Sequence, residues 1–388
     1  MKKTWPFTLN FLLFAAMAFV MPFLTLYYQS LDFTGAQIGL LTGLTPLITL
    51  LSAPLWTSVA DKTRRHRLSM SLALLAGVSI LFAFPSFTAF APILLLALLY
   101  NAVYAPVSSF ADSATMFMLA DEKHLYGRIR LGGTLGFGLA ASVAGVFVQS
   151  YGLRYAFWGG AVLLLLACLV SQKLVHGQLK ADASIRQGVR TLLTSPHWFL
   201  FLTLALAGGF AVAATNVYLF PYLKELGASE STMGLSLTVG TLSEIPVLFF
   251  GHRLLKRFKS KGLFTLAMTI TGARLMLFAA AGTADFVLVL QLLNGLTFPA
   301  MWVAGVAYAD ENAPAGMRTT AQGLFSAMVF GLGLAAGGFV GGPLLESLGG
   351  RGLYFIFGIV VLIIVAGVTL LQKRLRAAPP PAEAPAAP

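Results

Sequence analysis

Long apolar runs alternate with short polar joints along nearly the whole chain. A helix needs about 20 apolar residues to cross the hydrocarbon core of a bilayer. On that rule the pattern predicts twelve spans. The first six lie near 6–29, 36–60, 68–86, 88–112, 129–150 and 154–173, and the last six near 198–223, 231–252, 262–281, 284–308, 319–346 and 351–372. The longest connection, 174–197, is polar, carries Ser195-Pro196, and has room for a short amphipathic helix near 185–193. The expected organisation is an all-α membrane protein with a six-helix bundle at 1–173, a linker at 174–197, a second bundle at 198–376 and a disordered Ala/Pro-rich tail at 377–388. The opening Met1-Lys2-Lys3 and its apolar stretch imitate a signal peptide, but the stretch is too long for an h-region, so it is read as the first span.

Composition agrees. Charged residues make up 10% of the chain and hydrophobic ones 57%. A soluble domain carries about 25% charge, so a soluble fold of this length is excluded. Net charge +12 raises nucleic acid as a partner, yet the basic residues are divided among many loops with no aromatic-interleaved patch. Twenty-two of the 26 Lys and Arg fall on one side of the membrane when both termini and the central linker share it; Arg154, Lys224 and Arg351 fall on the other, and Arg274 lies within a span. Positive loops stay in the cytoplasm, so both termini are expected there, in the inner membrane.

Two halves also echo each other. Ala120-Asp121-Glu122 ahead of Tyr126-Gly127-Arg128 resembles Ala309-Asp310-Glu311 ahead of Gly316-Met317-Arg318, and Gly136-Phe137-Gly138-Leu139-Ala140-Ala141 resembles Gly331-Leu332-Gly333-Leu334-Ala335-Ala336. Paired six-helix halves are common in secondary transporters.

Glu244 and Arg274 fall in mid-span, where an ionisable group persists only beside a partner or a watery cavity. They flank the basic loop near Arg257 at similar depth, so they can compensate one another. A Glu whose cationic partner comes and goes with conformation suits a proton carrier; a permanent structural pair is the alternative. Asp112 and Arg130 lie nine residues either side of Asp121. In an antiparallel hairpin that is roughly 13 Å from the turn at 1.5 Å per residue, where they bridge each other or hold a polar solute. Tyr27, Tyr28, Tyr100, Asn101, Tyr104, Asn216, Tyr218, Trp302 and Tyr308 are candidate cavity or interface residues. No Walker motif, nucleophile–base pair or metal-ligand spacing appears, and the single Cys168 allows no disulfide framework. An enzyme, a resident cofactor and a metal are therefore not expected.

Trp56-Thr57-Ser58-Val59-Ala60-Asp61-Lys62-Thr63-Arg64-Arg65-His66-Arg67 resembles the signature loop of the major facilitator superfamily, with Thr57 in place of the first Gly. Tyr126-Gly127-Arg128-Ile129-Arg130-Leu131-Gly132-Gly133-Thr134-Leu135-Gly136-Phe137 resembles the helix-5 entrance of the lactose permease and, more closely, of the phenylpropionate and nucleoside permeases of that superfamily. The likeness continues through Ser243-Glu244-Ile245-Pro246, Arg274 and Gln291-Leu292-Leu293-Asn294-Gly295-Leu296-Thr297-Phe298. It implies a monomeric secondary active transporter working by alternating access on a small organic solute, with proton-coupled symport of an aromatic acid, sugar or nucleoside as the leading expectation. Efflux antiport and a non-transporting receptor are the rivals. The resemblance places Asp112, Arg130, Phe137 and Asn294 at substrate positions. It places Asp61, Arg64 and Arg65 in a cytoplasmic gate that latches the two halves, and gives Arg274 the place of a helix-9 arginine. Asn294 and Thr297 stand where relatives carry a histidine and a proton-carrying glutamate. That vacancy moves the expected proton carrier to Glu244, with Arg274 as its partner.

Overall fold

The computed structural model describes residues 4–120, 122, 125–175, 192, 195–314 and 317–377; the expected linker helix and the tail lie almost wholly outside these. Every regular element among the described residues is helical. Ten helical runs are long and apolar enough to cross a membrane. The first seven are α1 (Thr4–Ser30), α2 (Gly35–Thr63), α3 (His66–Ser86), α4 (Phe90–Leu119), α5 (Tyr126–Tyr151), α6 (Arg154–Ser171) and α7 (Pro196–Asn216). The run Glu230–Ala280 reverses at Lys259 (φ 59°, ψ 161°), giving α8 (230–258) and α9 (260–280). Ala284–Glu311 is α10. The run Arg318–Arg374 reverses at Gly349 (φ 67°), giving α11 (318–348) and α12 (350–374). Twelve passes result, as the hydropathy pattern requires. The turn between α8 and α9 is tighter than expected, because the basic segment 253–261 is itself helical up to one left-handed residue. That positive-φ conformation costs about 1–3 kcal/mol in a non-glycine. The neighbouring Ser260 is anchored, donating to Glu311 Oε2 at 2.5 Å.

The two bundles repeat the same close packing. On α5, a Cβ at Gly132 or Gly136 would meet the carbonyls of Phe7 and Phe11 on α1. On α11, a Cβ at Gly333 or Gly337 would meet the carbonyls of Leu206 and Phe210 on α7. The two seams do not fall on the positions that the Gly/Ala echo pairs: Gly331, the echo of Gly136, meets Leu50 of α2, and Gly138, the counterpart of Gly333, meets Thr241 of α8. Large apolar side chains such as Leu169, Ile363 and Leu370 stay exposed on the outer faces, where lipid takes the place of a protein core.

Between the bundles, α2 meets α11 and α5 meets α8. These contacts concentrate at the end carrying residues 31–34, 152–153, 226–229 and 349. There Gly35 N donates to Glu346 Oε2 (2.9 Å), Thr42 Oγ1 donates to Gly338 O (3.2 Å), Ser142 and Thr238 share a 2.7 Å hydrogen bond, and Ser231 Oγ donates to Gln149 Oε1. Phe23 and Phe220 close the same end edge-to-face at 4.9 Å. Past Leu50–Gly331 and Gly138–Thr241 there is no further inter-bundle hydrogen bond among the described residues, and Leu51, Leu55 and Val59 of α2 are exposed. The bundle is thus closed at one end and open at the other.

Several expected lining residues belong to packing. Tyr218 is fully buried and donates to Gly338 O at 2.6 Å. Tyr308 stacks on Phe201 (4.4 Å), and Tyr27 packs on Phe157 (4.7 Å).

Candidate functional site

α10 does not run through the membrane as one regular helix. After Leu290 the chain tightens to a 3-10 stretch over Gln291–Leu296, and Thr297 leaves helical geometry altogether (φ −99°, ψ −96°). Interruptions of this kind free backbone groups and mark hinges or sites. Ser243 on α8 holds the interruption: its Oγ accepts from Gly295 N (3.0 Å) and donates to Gln291 O (3.2 Å). Gly295 permits the approach, since a Cβ there would strike the Ser243 carbonyl.

The next residue after Ser243 is Glu244. Its Oε1 accepts from Asn294 Nδ2 at 2.8 Å. The other end of the same amide, Asn294 Oδ1, accepts from Arg274 Nη1 at 2.8 Å. Arg274 comes from α9 and is 3% exposed. It also donates to Leu290 O (3.2 Å), Thr297 Oγ1 (3.2 Å) and Gln291 Oε1, and lies 4.9 Å over the Phe278 ring. A bare buried guanidinium would be prohibitive; one wrapped by four oxygens and a ring face is tolerated. Gly240, one turn before Glu244, leaves space for the two amides: a Cβ would lie 3.3 Å from Gln291 Oε1 and 3.6 Å from Asn294 Nδ2.

Glu244 and Arg274, expected as partners, make no direct bridge within 4.0 Å among the described residues. Asn294, expected as a substrate contact, stands between the two and touches both. Sequence spacing held the signal for Gln291 and Thr297, which lie three residues either side of Asn294 and so near its face of the helix.

In the other bundle, Asp112 on α4 and Arg130 on α5 come to similar depth, as the hairpin arithmetic requires. They likewise make no direct bridge. Tyr126, one helical turn before Arg130, lies in the electrostatic neighbourhood of both. Arg130 rests on the Phe14 ring at 4.4 Å. Phe137 lies two turns beyond Arg130 on α5 and is half-buried. Tyr126 and Phe14 were not singled out from the sequence, although the i, i+4 spacing of Tyr126 and Arg130 places them on one face.

Asp61 lies at the open end. Its carboxylate is 2.7 Å from His66 Nε2 in its own bundle. Arg64 takes a left-handed conformation (φ 56°) that ends α2, and both Arg64 and Arg65 are exposed. The expected gate residues thus meet no partner from the second bundle in this state among the described residues. No group of His, Cys, Asp and Glu fit for a metal occurs among the described residues.

Twelve helices in two related bundles, interrupted near mid-membrane by buried charge, define a multi-pass membrane transporter. The chain matches the MFS_1 like family over residues 7–357 and belongs to it. It is 30% identical to a maltose permease of Geobacillus stearothermophilus over 372 residues, covering 95% of this chain and 94% of that protein. It is 25% identical to the xanthosine permease of Escherichia coli (strain K12) over 337 residues, 81% of this chain and 80% of the other. Among solved structures it superimposes on the nucleoside transporter NupG with a TM-score of 0.85, at 19% identity, over 96% of this chain and 99% of that one. The protein is a secondary transporter of the major facilitator type for a small organic solute.

Proposed function

We propose that this transporter imports a hydroxyl-rich solute of the sugar or nucleoside class together with protons. The Glu244–Asn294–Arg274 chain carries this reading. It holds an acid deep in the second bundle, connected to a fixed cation by an amide that can release either end. Movement of α8 against α10 would change the acid's surroundings and so its hold on a proton. Asp112, Tyr126 and Arg130 are neighbours in the first bundle and would supply both donors and acceptors for hydroxyl groups. Phe14 and Phe137 offer apolar faces for a ring. The names of the maltose and xanthosine permeases support this solute class over an aromatic acid.

In this reading residues 1–173 and 198–376 rock as two bodies joined by the 174–197 linker. The chain works as a monomer in the inner membrane with both termini cytoplasmic. The open end, which carries the basic loops, then faces the cytoplasm, and the structure is inward-open.

The test is uptake of labelled maltose, xanthosine and other nucleosides into proteoliposomes, with and without an inward proton gradient. Accumulation of one of them only with the gradient is expected. Uptake indifferent to the gradient removes proton coupling, and uptake of none removes the solute class. Export of amphipathic dyes in place of either would establish the efflux reading.

A further inference from the structure

α9 and α12 run antiparallel and pack closely at two glycines. A Cβ on Gly272 would lie 2.7 Å from the Leu362 side chain, and one on Gly358 would lie 3.1 Å from Gly272 O. Toward the basic loops the two helices part, and a cavity of about 610 Å³ opens between residues 259–269 and 369–373. The register of the glycine contact, carried in that direction, sets Thr265 level with Thr369 and Lys261 level with Lys373; all four line the cavity. Lys259, the left-handed residue of the α8–α9 turn, lines it as well.

Three lysines, from two helices and a turn, thus share one cavity whose lining holds no carboxylate. Glu311, the acid beside the turn, accepts from Ser260. Like charges gathered at a membrane face repel one another, and an anion seated between them relieves the repulsion.

The hydroxyls narrow the chemistry of that anion. Thr265 Oγ1 donates to Lys261 O (3.0 Å), Thr269 Oγ1 to Thr265 O (2.9 Å) and Thr369 Oγ1 to Val365 O (2.7 Å). A hydroxyl has one proton, so these oxygens retain only accepting capacity. The cavity therefore offers positive charge to a phosphate and acceptors to a ligand that brings its own O–H groups. Leu266 completes the wall and is exposed on the lipid side. A free phosphate gains nothing from that apolar flank, whereas an acyl chain does.

We propose that this cavity binds an anionic phospholipid with a hydroxyl-bearing headgroup, of which phosphatidylglycerol is the simplest. The phosphate sits between Lys259 and Lys373, the glycerol hydroxyls donate to Thr265 and Thr369, and the acyl chains run along Leu266. Basic pockets between transmembrane helices suit such headgroups. In the orientation proposed above, the lipid belongs to the cytoplasmic leaflet.

The experiment is native mass spectrometry and thermal melting of the delipidated full chain in neutral detergent, titrated with phosphatidylglycerol, phosphatidylcholine or inorganic phosphate. Phosphatidylglycerol is expected to raise the melting temperature and to remain on the protein as a discrete adduct, and the other two to do neither. Lys259→Gly and Lys373→Gln are each expected to weaken phosphatidylglycerol about 5-fold, and together about 20–30-fold, from the usual attraction of a basic side chain to an anionic headgroup. Glycine suits the positive φ at 259, so that variant keeps the turn. Lys373→Arg is expected to retain binding. Thr369→Val is expected to weaken phosphatidylglycerol about 5-fold through one lost hydrogen bond. Arg253→Gln with Lys256→Gln removes two exposed charges of the same loop outside the cavity, and affinity is expected to stay within about 2-fold of wild type, because exposed charges at a distance are screened. Equal affinity for phosphatidylcholine, equal stabilisation by inorganic phosphate, or equal losses in the cavity pair and the outside pair would overturn the inference. Unchanged affinity in Thr369→Val would overturn the choice of a hydroxyl-bearing headgroup. Melting without added lipid separates a misfolded variant from one that has lost the site. All readings are made without solute or pH gradient, so they stand apart from the choice of cargo and coupling ion.

Discussion

Asn294 keeps Glu244 and Arg274 apart by the width of one amide, donating to the first and accepting from the second, each at 2.8 Å. The cation is fixed by four hydrogen bonds within its own bundle, while the acid is held by the amide. The acid is therefore the more lightly held member of the pair.

Asn294→Leu removes a donor from Glu244 and an acceptor from Arg274 while keeping similar bulk. Each lost bond to a charged group costs about 1.5–3 kcal/mol. The variant is expected to melt several degrees lower in detergent and to lose at least tenfold in gradient-driven uptake. Wild-type melting and uptake together would show that the amide bridge carries neither stability nor coupling.

Glu244→Gln keeps a hydrogen-bonding side chain but removes the titrating proton. Exchange of solute across proteoliposomes at equal pH is expected to persist, while accumulation against a gradient disappears. Continued accumulation driven by an imposed pH difference would assign proton carriage elsewhere, with Asp112 the next acid to examine.

Asp112→Asn and Arg130→Gln are each expected to abolish solute binding in a thermal-shift titration while leaving the unliganded melting temperature within a few degrees. Tyr126→Phe, which loses only the hydroxyl, is expected to weaken binding about 5–10-fold, the loss of one hydrogen bond from that hydroxyl to the solute at roughly 1 kcal/mol. Unchanged affinity in any variant removes that residue from the contact set.

Reporter fusions in the 174–197 linker and after residue 376 are both expected on the cytoplasmic side. The expectation rests on the Lys/Arg distribution. A fusion reporting outside would reverse the sidedness assigned to the open end.

The bundle architecture was legible in the sequence because the bilayer imposes length and composition on every span; twelve passes and their order follow from hydropathy. The equal depth of Asp112 and Arg130 was legible for the same reason: helix rise fixes depth once the turn is located. Lateral position is another matter. The partner of Arg274 depends on how α8, α9 and α10 rotate about their axes and on the break in α10, and neither quantity is periodic in sequence. Hydropathy therefore gave two charges at one level, and the fold put an amide between them. Glu346 was likewise unremarkable as a polar residue at a helix end. Its hydrogen bond from Gly35 appears only when α11 is laid against α2, because a contact between residues 311 positions apart is decided by tertiary packing.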